Sequence, residues 1–266
     1  MSPAADSIGG EVLLQATDVA KTFGGLKAVD NVTFALRAGI ITTLVGPNGA
    51  GKTTLFNLMT GHLVPDQGEV LWLGKSILRL PHWKIARLGI GRSFQDLKLF
   101  ANMTVEENVE TVTERGSWLW QPGGPSARTA RKEKVEATLA ATGLVDKRHD
   151  RAVDLAYAER KFLSMARILA AGADIWLLDE PASGLDLSSR LRFGELLRQA
   201  TARGVAVCLI EHNLDVVAEL SDRIAFLDQG RVLAEGDPQT ILRDPALAAI
   251  YFGDRRDAAA TSEQAA

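Results

Sequence analysis

Residues 41–60 read ITTLVGPNGAGKTTLFNLMT, and their order decides the fold: an apolar β-branched run, a glycine-bearing loop, then a stretch of helical character. The loop, GPNGAGKTT at 46–54, fits G-x-x-x-x-G-K-[ST] in the strand-to-helix context that gives this pattern its meaning. Gly49 and Gly51 let backbone N–H groups curl around an anion, and a helix expected from Lys52 to Thr60 adds the positive end of its dipole. Lys52 is placed to reach the β- and γ-phosphates of a nucleotide, and Thr53 offers a hydroxyl to Mg2+. Gly46, Asn48, Ala50 and Thr54 are assigned to the same cradle. A glycine turn that only caps a helix would not require lysine and threonine at this spacing.

Around this unit, short runs from Glu11 to Val70 (EVLLQATDV, NVTFAL, ITTLVG, GEVLWLG) alternate with glycine-bearing turns and read as a β-rich lobe. From about Ile85 to Ala170 the pattern becomes largely helical, as in MTVEENVETVTERG and ARTARKEKVEATLAATGL, which reads as an inserted subdomain. Strands return at DIWLLDE and GVAVCLIEH with SSRLRFGELLRQATARG between them, a βαβ pattern that implies parallel strands. RIAFLDQGRVLAEG reads as a hairpin with Gly230 just after its turn, and ILRDPALAAIYFG as a final helix. The expected division is an α/β core over 11–90 and 171–253 and a helical subdomain over 91–170. A disordered leader (1–10) and a flexible tail (254–266) flank them.

The bulk composition narrows function mainly by exclusion. A formal charge of −3 on 266 residues leaves no basic footprint, so nucleic acid is not an expected partner. With 46% hydrophobic and 24% charged residues spread along the chain, it reads as a soluble globular protein. No apolar stretch approaches the roughly 20 residues that span a bilayer, and MSPAADSIGG lacks the regions of a signal peptide. The single cysteine, Cys208, has no partner in the chain and fits a reducing compartment as buried filler.

Two further places carry chemistry. The run IWLLDE at 175–180 ends in two carboxylates, at the strand edge where α/β sheets place ligands. Asp179 suits the water shell of a metal, and Glu180 is placed to polarise an attacking water. Two solvated acids capping a strand are the plainer reading, which the phosphate loop elsewhere in the chain disfavours. His212 follows the strand VAVCLIE. A lone histidine is more often structural, but its place beside the other strand ends favours a γ-phosphate contact.

GPNGAGKTT, SFQD around Gln95, LAYAE at 155–159, WLLDEP, SGLD and IEHN occur in an order that resembles the ATP-binding subunits of ABC transporters, from about Val12 to Gly236. The resemblance implies a P-loop NTPase of the ABC ATPase type: a β-rich and parallel-sheet core lobe with an inserted helical subdomain, binding ATP and Mg2+. It also implies that Phe23 stacks on adenine, that Gln95 senses Mg2+ or water and couples to a membrane partner, and that Asp186 communicates across a dimer. It gives His212 the γ-phosphate. Phe23 reads equally as a strand-end core residue. FGGLKAVDNVTF, RSFQDLKLFANMTVEENV, LAY and AIYFGD resemble most the branched-chain amino-acid importer type, whose relatives take up urea, amides or aromatic acids. The lipopolysaccharide-export ATPases look similar.

In that family the signature reads LSGGQ, or in this branch often LAYGQ, and two ATP molecules lie between each chain's phosphate loop and the other's signature. Here Ala156, Tyr157, Ala158 and Glu159 follow Leu155, so a hydroxyl and a glycine are replaced. The N–H groups opening the following helix can still face an anion. If Ala158 is right-handed its methyl costs little, whereas a left-handed requirement would cost roughly 1–2 kcal/mol. Phe162, Met165, Ala166 and Leu169 form the expected apolar face of that helix. The implied partners are membrane-spanning permease subunits, a second ATP-binding chain, with a non-identical one favoured over a homodimer, and indirectly a periplasmic solute-binding protein. The implied place is the cytoplasmic face of the membrane. Beside the importer reading stand an exporter ATPase and a nucleotide-gated regulatory subunit with weak turnover. A DNA-repair ATPase would need long heptad arms, which the chain lacks. Trp118 and Trp120 suggest either an interface hot spot or, more ordinarily, packing within the helical part.

Overall fold

The computed structural model describes residues 10–113 and 125–251. In chain order these form β1 (Val12–Phe23), β2 (Leu26–Arg37), β3 (Ile41–Val45), α1 (Lys52–Met59), β4 (Gln67–Trp72), β5 (Lys75–Ser76), α2 (His82–Arg87) and β6 (Ile90–Arg92). The helices α3 (Val105–Thr113), α4 (Pro125–Thr142) and α5 (Tyr157–Ala170) follow. The chain then runs through β7 (Ile175–Asp179), α6 (Leu187–Thr201), β8 (Ala206–Ile210), α7 (Leu214–Leu220), β9 (Arg223–Asp228), β10 (Arg231–Gly236) and α8 (Pro238–Leu242).

One sheet has the order β2-β1-β4-β5 with antiparallel neighbours. The other has the order β10-β9-β3-β8-β7-β6, in which β9, β3, β8, β7 and β6 run parallel and β10 returns antiparallel to β9. Strands buried on both faces favour apolar or β-branched runs, which AVCLI supplies throughout and ITTLV supplies with two buried threonines. The pleat sends alternate side chains to different cores. Ile175 and Leu177 of β7, with Ala206 and Cys208 of β8, pack toward α1 and the antiparallel sheet. Trp176, Leu178, Val207 and Leu209 pack on the opposite face against α5 and α6. Because β3, β7 and β8 run in one direction, the loops that leave them converge at one edge.

Two elements differ from expectation. The strand β6 lies within the run that reads as largely helical, and its IGR pairs with Ile175–Leu177 of β7. A three-residue stretch containing glycine has no β-propensity of its own, so the edge of the sheet imposes the conformation. The expected final helix is two: α8 stops at Leu242, and Asp244 then caps residues 245–251 by accepting from Ala246 N–H at 2.8 Å. Pro245 explains the break, since the residue before a proline avoids the helical region. Trp118 and Trp120 lie outside the described residues, as do residues 1–9 of the leader, residues 252 and 253, and the whole tail, 254–266.

Cys208 is fully buried on β8, and burial drives its thiol far above the usual range. Thiolate is the reactive species, so the native protein is expected to be inert to a thiol reagent. In denaturant it should take up one equivalent, matching its single cysteine. Uptake at the same rate in both states would show that β8 is not where it is placed.

Candidate active site

At the edge where the strands end lies a cavity of about 1120 Å3. One wall is the loop from Asn48 to Thr54, and the floor carries Gln95, Asp179, Glu180, Ile210 and His212. The facing wall comes from Leu26, Lys27, Ala28 and Asp30 of β2 and from Asp228, Gln229, Arg231 and Leu233 around the β9–β10 turn. Arg231 closes this wall by donating from both Nε and Nη2 to the one oxygen Oδ2 of Asp30, at 2.9 and 2.6 Å.

The loop glycines serve two purposes. A Cβ on Gly49 would meet nothing within 4 Å, so the backbone there is open, and its φ of +80° turns the chain as an anion cradle needs. Gly51 is required by packing, since a Cβ there would stand 2.2 Å from the Ala28 carbonyl oxygen. Lys52 folds back so that Nζ donates to the carbonyls of Gly46 and Pro47 at 2.7 and 2.8 Å. Burial lowers its pKa, and the charges of Glu180 and Asp179 work against that shift.

Ser93 Oγ accepts from Asp179 N–H at 3.0 Å, and Glu180 N–H donates to the Ile210 carbonyl at 2.9 Å, so β6 and β8 together fix the end of β7. Glu180 then turns with φ +47°, a left-handed conformation rare for a side-chain-bearing residue and of a kind found at functional sites. Its Oε1 lies 3.3 Å from His212 Nδ1. His212 is held from both sides, because Asn213 caps α7 and the Tyr251 hydroxyl donates to the His212 carbonyl. Burial raises the Asp179 pKa and Arg92 opposes the rise, while neighbouring Glu180 raises it further and Lys52 opposes it.

Phe23 stands at the tip of the β1–β2 hairpin and is 46% exposed, so it is not a core residue. It does not line the cavity, though Leu26, its partner across the turn, does. The residues at the start of α5 lie elsewhere: Ala156, Tyr157, Ala158 and Glu159 do not line this chain's own cavity. Ala156 is the extended cap of α5, with φ −60° and ψ 159°. Glu159 Oε2 accepts from its N–H at 2.8 Å, which is one half of a capping box, and alanine has no oxygen to return the bond. Ala158 therefore sits in the first helical turn in right-handed conformation, half-buried against the helical core. Of the expected apolar face, Phe162, Met165 and Ala166 are buried and Leu169 half-buried. Asp186 caps α6 within its own chain, accepting from Ser189 N–H at 2.7 Å.

Three residues join the site that the motifs do not single out. Arg92 donates from Nη1 to Asn57 and Thr60 at 2.8 and 2.9 Å, and its charge opposes the rise in the Asp179 pKa. Lys161 and Glu211 are buried on either side of the segment after β7. A lysine within the buried run of an amphipathic helix, and a glutamate beside His212 at a strand end, were the available signals.

A phosphate loop, paired carboxylates and a histidine converging on one cavity at the parallel-strand edge define a nucleotide-hydrolysing P-loop protein. The ABC transporter family model matches residues 29–183. The chain is 36% identical to the high-affinity branched-chain amino acid transport ATP-binding protein LivG of Escherichia coli, over 91% of this chain and 98% of that one. It is 35% identical to the lipopolysaccharide export system ATP-binding protein LptB of Acidithiobacillus ferridurans, over 91% and 98%. The ADP conformation of MJ1267, an ATP-binding cassette of an ABC transporter, superimposes with a TM-score of 0.78 at 28% identity, covering 91% of this chain and 99% of that one. The chain belongs to the ABC transporter family, as an ATP-binding subunit whose ATPase activity is coupled to transport. No helix among the described residues is long and apolar enough to cross a membrane, and such subunits work with membrane permeases.

Proposed function

We propose that this chain binds MgATP in the cavity and hydrolyses it to drive an importer of branched-chain amino acids or related small polar solutes such as urea, amides or aromatic acids. The observation that carries this reading is the meeting of Lys52, Glu180 and His212 with the phosphate loop in one cavity. The loop from Gly46 to Thr54 binds the phosphates, Phe23 stacks on adenine from the hairpin tip, and His212 contacts the γ-phosphate. Glu180 orients and deprotonates the attacking water, since phosphoryl transfer depends mainly on positioning and on neutralising charge.

The donors available to Mg2+ are a hydroxyl at Thr53, an amide at Gln95 and a carboxylate at Asp179, all lining the cavity. Hard oxygen donors few enough to leave room for phosphate and water suit this ion, which when bound neutralises charge on the phosphates. These three residues would hold it.

The start of α5 does not line the chain's own cavity and leaves Ala156 and Tyr157 exposed, which supports its meeting the nucleotide of a second ATP-binding chain. A non-identical second chain is favoured, because Ala156 lacks the hydroxyl that a fuller signature would offer. The remaining assembly comprises membrane-spanning permeases, contacted near Gln95, and indirectly a periplasmic solute-binding protein, with this chain on the cytoplasmic face. The functional division is a core and a helical subdomain as expected, except that the boundary set at 90/91 moves past β6, because Gly91 and Arg92 pair with β7 of the core sheet.

Export is the second reading, supported by the 35% identity to the lipopolysaccharide-export ATPase. The complex purified from membranes through a tag on this chain, reconstituted with the solute-binding protein, is expected to raise its ATPase rate several-fold with a small polar solute. Stimulation by lipopolysaccharide and none by any amino acid, amide or urea would reverse the assignment to export.

A further inference from the structure

Lys161 is a charged residue on the buried face of α5, only 8% exposed among Phe162, Met165 and Ala166. Methionine or leucine would fill such a slot without the desolvation that a buried ammonium incurs. Its bonds explain the lysine. Nζ donates to the backbone carbonyls of Glu180 and Pro181, at 2.8 and 3.1 Å, and lies 5.2 Å from the centre of the Tyr157 ring. Both carbonyls belong to the turn that carries Glu180 out of β7, where φ is +47°. On the other side of this turn Glu211, 1% exposed, accepts from Ala182 N–H at 3.0 Å. The segment from Glu180 to Ala182 is thus pinned by its backbone between a helix and a strand end. Tyr157, one turn before Lys161, packs on the next part of the segment: a Cβ on Gly184 would lie 2.9 Å from its ring.

We propose that Lys161 is a positioning residue for Glu180: by holding the Glu180 and Pro181 carbonyls it fixes the aim of the Glu180 carboxylate and ties that aim to the start of α5. The proposal rests on the reading of Glu180 as the group that orients water. Lys161 does not line the nucleotide cavity and acts through the backbone it holds. Burial lowers the Lys161 pKa, and the charges of Glu211 and Glu180 work against that shift. An arginine can make the same bonds, but a methionine of similar length cannot.

The test uses the full-length chain in its assembled transporter. Lys161→Met is expected to lower kcat by roughly tenfold to a hundredfold, the scale of a small misplacement of a reacting group, with KM for ATP within about twofold of wild type. Lys161→Arg should recover most of kcat. Amide hydrogen exchange over residues 180–184 should quicken in Lys161→Met and return to the wild-type rate in Lys161→Arg, at unchanged melting temperature. If Lys161→Met does not fold, Lys161→Gln, which keeps one donor on a shorter arm, serves in its place with an intermediate kcat. Wild-type kcat in the Met or Gln variant overturns the proposal, and so does a kcat loss matched by a KM rise or by a fall in melting temperature. If the wild-type complex turns over no ATP, the functional reading of Glu180 fails, while the exchange rates still report whether Lys161 holds the turn.

Discussion

Glu180→Gln is expected to lower steady-state ATP turnover by roughly a hundredfold to ten-thousandfold, the range supplied by a positioned general base, while leaving ATP affinity within about twofold. The amide keeps the side chain's shape but cannot accept a proton. The phosphate loop and Lys52 are untouched, so binding persists and the complex should accumulate with ATP rather than ADP. The environment suits this division of labour. His212 Nδ1 stands 3.3 Å from the Glu180 carboxylate, and the backbone of Glu180 is bonded at N–H to Ile210 and at C=O to Lys161, so the substitution changes chemistry rather than placement. Phosphate release at saturating ATP, with nucleotide identity read after quenching, makes the measurement. Turnover within tenfold of wild type would remove Glu180 from the role of base.

The parts of this fold legible in the sequence are those whose cause is local. The run from Ile41 to Thr60 declares strand, loop and helix because apolar period, glycine spacing and the lysine–threonine pair all agree, and β3 and α1 fall where that agreement puts them. The strand–helix–strand reading over 174–211 holds because β7 and β8 are apolar on both faces. What was not legible depends on contacts between distant residues. The strand β6 exists because β7 offers it an edge. Gly51 is needed as much by Ala28, 23 positions earlier, as by any phosphate. Lys161 and Glu211 act on backbone atoms 19 to 29 residues away, and no motif spacing records such a bond.

The alanine at 158 shows how a local question is settled by a local detail that the sequence alone leaves open. Whether it can replace a glycine depends on its backbone hand, and that hand depends on where α5 begins. The extended Ala156 and the bond from its N–H to Glu159 start the helix at Tyr157, which puts Ala158 among right-handed residues. The penalty of roughly 1–2 kcal/mol for a left-handed alanine therefore does not arise. What this signature lacks is the hydroxyl at Ala156, together with the cap bond it would have made, a loss of about 1 kcal/mol of helix stability that Glu159 partly offsets.

Lys52→Ala is expected to act on binding itself, raising the dissociation constant for ATP by roughly tenfold to a hundredfold. Hydrogen bonds to charged groups contribute about 1.5–3 kcal/mol, and each 1.4 kcal/mol is about a factor of ten in affinity. Two mechanisms could produce the loss, and they differ in signature. Lys52 braces its own loop through the carbonyls of Gly46 and Pro47, so its removal leaves the loop free to distort, which would weaken all adenine nucleotides alike. It also removes a cation held beside Asp179 and Glu180, which would weaken a ligand in proportion to its charge at the β- and γ-positions. The second effect should dominate, because the ammonium, desolvated in its pocket, has the phosphate charge to gain and the two carbonyls are neutral acceptors. The expected result is a loss that grows from AMP to ADP to ATP when each is titrated into wild type and variant at one ionic strength. An equal loss for all three would make Lys52 a brace of the loop, and unchanged ATP affinity would mean that GPNGAGKTT is not the phosphate site.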